Sequence, residues 1–133
     1  MSSKVKYLSS ILAPVSLGEL IDKITILEIK QIHMTGIKLK NVDKELKLLK
    51  NILHDKNLDI DINLINNLKE VNKNLWEIED NIRIKEINQQ FDKEFIELAR
   101  SVYKENDKRA SIKKEINLKH NSELVEEKSY NNY

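Results

Sequence analysis

The sequence predicts an all-α fold, an antiparallel bundle of about four main helices with an extended N-terminal arm and a short C-terminal helix. Three observations carry this. Two glycines and one proline in 133 residues leave few places for the tight turns of a sheet. Charged residues make up 34% of the chain, with 23 basic against 22 acidic, the composition of helices with mixed-sign solvated faces. Apolar residues also recur in steps of four and three, most clearly at Leu64, Leu68, Val71, Leu75, Ile78 and Ile82, the period of a bundle seam.

The elements follow in order. Residues 1–15 lack helical periodicity and end at Pro14, which disfavours helix at Ala13, so they read as an extended arm laid over the bundle. Ser16-Leu17-Gly18-Glu19 is a capping box that starts a first helix from about Leu17 to about Met34, with Gly36 placed to end it. A second helix from about Lys38 to Leu53 carries Val42, Leu46, Leu49 and Leu53 on one face, and 54–61 is a polar connector. Asp61 can cap the third helix, which holds the seam. A fourth begins near Phe91 or Asp92 and runs to about Leu118, with Phe95, Leu98, Val102 and Ile116 on one stripe. Ser122 can cap one short turn through Lys128, before a tail at 131–133, so 16–130 reads as a single helical-bundle domain.

Composition also bounds function. A net charge of +1 with no long run of one sign provides no electrostatic pull toward nucleic acid or an anionic membrane. The absence of cysteine removes disulfides, thiolate chemistry and Cys-based zinc sites, and fits a reducing compartment. Lys4 and Lys6 precede a short apolar stretch, Tyr7 to Ala13, but serines interrupt it and no window approaches the roughly 20 apolar residues of a membrane span. The expected protein is soluble and cytoplasmic, with no cofactor.

Polar residues inside apolar stripes are the informative positions, because burying an unpaired charge is costly. On a wheel of about 100° per residue, Glu28 falls among Leu17, Leu20, Ile21, Ile24 and Leu27 of the first helix. Asn106, Arg109 and Lys113 continue the inner stripe of the fourth helix. Beside the seam of the third runs a row that includes Asn72, Trp76, Glu79 and Arg83. Two readings follow. These groups are ion pairs that fix helix register, Glu28 with Arg109 or Lys113 and Glu79 with Arg83. Alternatively they line an inter-helix cleft that binds a small anionic ligand or a protein partner, with Arg83, Arg109 and Lys113 holding the anion, Glu28 and Glu79 orienting those cations, and Trp76 as an apolar wall.

Other chemistry has less support. His33, His54 and His120 lie in three elements with no second histidine at ligand spacing. Glu77-x-x-Asp80 and Glu94-x-x-Glu97 put carboxylates one turn apart, as magnesium-dependent helical nucleotide hydrolases do, but in reversed order. There is no glycine-rich phosphate loop and no basic patch interleaved with aromatics. An enzyme would use the same cleft, with Glu28 as a buried acid or base or with the four carboxylates holding magnesium. A structural, self-associating bundle built on the third-helix seam is the remaining class.

The strings 14–30, Leu75 to Arg83, Phe95 to Tyr103 with Asn106-Asp107 and Arg109-Ala110, and Leu124 to Tyr130 resemble an uncharacterised bacterial family of short all-helical proteins. The resemblance spans most of the chain outside the second helix and its connector, and implies no reaction. It draws attention to the Glu126-Glu127-Lys128-Ser129-Tyr130 segment as one that folds back over the bundle. A fainter likeness is to helical chorismate mutases, whose first helix carries an Ile-Asp pair followed by Ile-Leu; here Lys23 and Lys30 stand where such a site needs arginines.

Overall fold

A computed structural model describes residues 9–132. Among the described residues it contains four α-helices and no strand: α1 (Leu17–His33), α2 (Gly36–Asp55), α3 (Ile62–Ile87) and α4 (Lys93–Lys119). None of these helices is long and apolar enough to cross a membrane.

Local chemistry sets the helix ends. Ser16 accepts from the Glu19 amide at 3.1 Å and Asp61 from Asn63 at 2.9 Å, so the caps expected there form, and Asp92 adds another by accepting from Phe95 at 3.0 Å. The Glu19 carboxylate turns to Lys113 instead of back along the cap. Gly36 does not close α1. It opens α2 with φ 64°, a left-handed turn that a residue with a Cβ adopts only under strain, while Met34 closes α1 through Lys30. α3 runs one turn past Ile82, to Ile87.

The side-chain partners give the helix directions. On α1 and α4, Gly18 meets Asn117, Glu19 meets Lys113 and Asp22 meets Arg109, so partner numbers fall as α1 rises and the two helices are antiparallel. Gln31 with Asp43 and Glu28 with Lys50 show the same for α1 and α2. Lys85 with Asp92 marks the turn of the α3–α4 hairpin. α1 runs parallel to α3, with Asp22 on Asn72 and His33 on Trp76.

α1 is the central element because it is apolar on more than one side. Leu20, Ile24 and Leu27 pack on Val42 and Leu46 of α2, while Ile21 packs on Leu64 and Leu68 of α3 and Ile116 of α4. Each such burial stabilises by roughly 1.5–3 kcal/mol. The core stops where α1 stops. Between Asn72 and Lys113 no residue is fully buried, and Leu75, Ile78, Ile82, Phe95, Leu98 and Val102 are only half-buried. Here α3 and α4 pack mainly on each other, with α1 reaching them through His33 on Trp76 and Asp22 on Arg109, and a pair of helices covers one stripe of each.

Two expectations about the termini are corrected. Residues 9–15 are non-helical, as expected, but Ile11 and Leu12 are 84% and 89% exposed, so this part of the arm does not cover the bundle. The rest of the arm, 1–8, and Tyr133 of the tail lie outside the described residues. Residues 122–128 form no helix: Ser122, the expected cap, accepts from the Leu17 amide at 3.1 Å and donates to the Leu124 carbonyl at 2.8 Å. The cap was claimed by another helix, and the segment follows α4 in extended form.

Candidate functional site

The residues Gly18, Asp22, Thr25 and Ile29 recur on α1 at spacings of four, three and four, and all are buried. This second stripe faces α3 and α4. At its centre Asp22 is 0% exposed and accepts from three donors. Arg109 holds it with both arms of the guanidinium, Nε to Oδ1 at 2.9 Å and Nη2 to Oδ2. Asn72 donates from Nδ2 to Oδ1 at 2.9 Å and reaches Thr25 Oγ1 at 2.9 Å, while the Thr25 hydroxyl donates to the Asp22 carbonyl at 2.8 Å. Three helices thus share one buried polar knot. The Asp22 hydrogen bond holds Arg109 above its usual pKa against the opposing effect of burial.

One turn further along α4, Lys113 is buried and its ammonium lies 2.6 Å from Glu19, 2.7 Å from Glu126 and 4.0 Å from Asp22. Burial alone would lower its pKa, but the hydrogen bonds to Glu126 and Glu19 outweigh that and raise it above 10.5, so Lys113 is a cation at any physiological pH. Below it, Asn117 is 0% exposed and accepts from the Gly18 amide at 2.7 Å, leaving its own Nδ2 buried without a partner. α1 and α4 approach closely here because Gly18 has no side chain: a Cβ would stand 2.5 Å from the Lys113 carbonyl oxygen.

Outside the knot, α4 and the 121–132 segment enclose a cleft of about 590 Å³. Tyr103, Val102 and Ala110 supply its apolar surface, Asn106, Arg109 and Lys113 its polar floor on α4, and Glu126, Lys128 and Tyr130 the opposite wall. Asp107 and Lys128 pair across it at 3.4 Å.

The structure therefore brings together Asn106, Arg109 and Lys113 of the residues singled out from sequence, and separates the other four. Glu28 does not reach α4; it lies 3.6 Å from Lys50 of α2 and 3.8 Å from Lys69 of α3. Trp76 stacks on His33, with ring centroids 4.8 Å apart, at the end of α1. Glu79 and Arg83 pair at 3.5 Å on the surface of the hairpin, where Arg83 is 74% exposed. The cleft opens on α4 rather than between α1, α3 and α4, because the Asp22 knot fills the inter-helix space. Since exposed pairs of this kind contribute about 0–1 kcal/mol, Arg83→Ala is expected to change the free energy of unfolding, from a urea titration, by less than about 0.5 kcal/mol. A loss above 2 kcal/mol would place Arg83 in the packed structure after all.

Two of the four carboxylates proposed for magnesium are engaged by other partners. Glu94 pairs with Lys85 at 3.1 Å and Glu97 with Arg100 at 3.7 Å, and among the described residues no group of three or more metal-ligating side chains is assembled. Sequence reasoning missed Asp22, Thr25, Glu19, Asn72 and Asn117 as one network. The available signal was the Gly18-Asp22-Thr25-Ile29 spacing, a second helical stripe that Leu20, Ile21 and Ile24 overshadowed. The 126–130 segment folds back onto the bundle as expected, but Tyr103, Asp107, Glu126, Lys128 and Tyr130 were missed as cleft residues, since periodicity does not say which helix face the segment meets.

No curated protein and no solved structure matches the chain, and the likeness to chorismate mutases has no support. A family model does match it, over residues 12–133, which includes every residue of the knot and of the cleft: the chain belongs to the family of unknown function DUF6165.

Proposed function

We propose that this protein is a binding module that takes a small anionic molecule in the cleft between α4 and the 121–132 segment. The observation that supports it is Lys113. Its ammonium is buried, held in the charged state, and in contact with a carboxylate, Glu126, that belongs to the cleft wall and not to the helical core. From α1 the ammonium is met by Glu19, and on the cleft side it is met by the exposed Glu126 carboxylate, a position that another anion can take. Asn106, two turns away on the same helix, adds amide donors to the cleft floor, and the Tyr103 ring provides a face for an apolar or ring-shaped body. Arg109 contributes charge to the floor, but its Nε and Nη2 are engaged by Asp22, so its main part is to fix α4 against α1 and set the cleft geometry.

The test is a thermal-shift and calorimetric titration of the full chain with inorganic phosphate, acetate, benzoate, sugar phosphates and nucleoside monophosphates. At one hundred times its Kd a ligand adds about 2.7 kcal/mol of stability. Tyr103→Ala and Asn106→Ala, both away from the buried knot, are expected to weaken binding about tenfold or more with little change in the unliganded midpoint. Absence of stabilisation by every compound, or equal stabilisation of both variants, would overturn the reading.

A further inference from the structure

The contacts of the 121–132 segment deepen this reading and rest on it. We infer that the anionic group of the ligand takes the place of the Glu126 carboxylate on Lys113, so that binding lifts the segment off α4. Glu126 is then a built-in competitor, and the segment a strap whose release reports that the cleft is occupied.

The strap returns along α4 in antiparallel register. The Ser122 amide donates to the Asn117 carbonyl at 2.8 Å, Glu126 meets Lys113 at 2.7 Å, Glu127 meets Lys114 at 2.9 Å and Lys128 meets Asp107 at 3.4 Å. Past the Ser122 turn, these attachments to α4 are side-chain ion pairs. Glu127 with Lys114 and Lys128 with Asp107 are solvent-exposed, the kind of pair that water and salt weaken readily. A segment attached in this way belongs to the least stable parts of a structure and opens without disturbing the core.

The Glu126–Lys113 pair is asymmetric. The Lys113 side chain is 7% exposed and the Glu126 side chain 52%, so the cation is built into the protein while the anion sits on it from the solvent side. The two other carboxylates near Lys113, Glu19 and Asp22, come from α1. Taken with Arg109, the two cations and these two carboxylates balance without Glu126. The strap carboxylate can therefore leave without stranding a net charge in the knot, and an incoming monoanion replaces it with no change in charge. The group that fits is an oxyanion, a carboxylate or a phosphate, because it must reproduce a charge-assisted hydrogen bond to the ammonium. When the strap leaves, it carries Tyr130 and Lys128 with it, so the lining that remains is that of α4, which includes Val102, Tyr103, Asn106, Asp107, Ala110 and Lys113. An apolar or aromatic body on the oxyanion suits that surface better than a bare ion.

The experiment uses the full chain, its Glu126→Gln variant, and acetate, benzoate and inorganic phosphate as probes. Glu126→Gln removes an exposed carboxylate and keeps the side-chain volume, so the bundle is expected to remain folded. The variant is expected to bind the best probe at least about fivefold more tightly than the parent, and benzoate is expected to bind more tightly than acetate in both. Heteronuclear NMR relaxation of the 123–131 amides provides the second reading: in the parent these amides should gain fast motion on saturation with probe, and in the variant they should show that motion before probe is added. If a probe binds but its affinity is the same in Glu126→Gln, or the strap amides become more ordered on binding, the exchange is wrong and the cleft reading stands. If no probe binds either protein, the cleft reading itself fails, and the exchange with it.

Discussion

Asp22→Ala is expected to destabilise the protein by about 3–5 kcal/mol, the cost of removing one partner from a buried ion pair. Three donors lose their acceptor together: both arms of Arg109 and the Asn72 amide that bonds Oδ1. Arg109 has only 29% of its side chain exposed, so water cannot fully replace the carboxylate. For a chain of this size the loss corresponds to a fall in Tm on the order of 10–20 °C. The pairing itself is a different quantity from the cost of breaking it. Asp22→Leu combined with Arg109→Met is expected to recover most of the loss, because a matched apolar pair also fills the space and leaves no charge unpaired. Denaturant unfolding of the two single variants and the double variant measures the coupling. A loss under 1 kcal/mol for Asp22→Ala would mean that the knot does not hold α1, α3 and α4 together.

Gly18→Ala is expected to be destabilising by about 2 kcal/mol, opposite in sign to what helix propensity alone suggests. In a helix, replacing glycine by alanine stabilises by roughly 0.5–1 kcal/mol. Here the new methyl would sit 2.5 Å from the Lys113 carbonyl oxygen and 3.1 Å from the Asn117 side-chain oxygen. The first obstacle is backbone and cannot rotate away, so α1 must move off α4. Overpacking of this sort costs typically 1–3 kcal/mol, and the shift also stretches the Gly18 amide's 2.7 Å bond to Asn117 and the neighbouring Asp22–Arg109 pair. The effect should appear as a lower urea midpoint with an unchanged slope. A more stable Gly18→Ala protein would show that the α1–α4 spacing is adjustable.

These two expected results concern what holds the bundle together. Asp22, Asn72, Thr25 and Gly18 belong to that part, whereas Tyr103, Asn106 and Glu126 lie at the edge of the structure, in the proposed ligand site. Lys113 belongs to both groups. Its ammonium is bound by Glu19 from α1 and by Glu126 from the strap.

Much of the fold was legible in the residues themselves. The Ser16 and Asp61 caps and the 4-3 seam of α3 are local signals: a cap needs only the amides two or three residues ahead, and a stripe only the pitch of one helix. Legibility ended where a side chain had a choice of distant partners. Glu28 lies on an apolar stripe and was expected to find Arg109 or Lys113, but α2 and α3 offered Lys50 and Lys69. Ser122 has the chemistry of a cap, but the Leu17 amide, 105 residues away in sequence, took its oxygen.

The sequence by itself determined four amphipathic helices, where α1, α3 and α4 begin, and that α4 turns Asn106, Arg109 and Lys113 along its inner stripe, because spacing along one helix decides which side chains share a face. Only the tertiary structure decided that Asp22, a residue hidden between Ile21 and Lys23, receives Arg109, that Glu126 closes on Lys113, and that Glu79 and Arg83 remain on an exposed hairpin. The reason is physical. Hydrogen-bond and ion-pair partners are chosen by which groups are desolvated side by side once the helices pack, and helical periodicity specifies the faces without specifying the register between them.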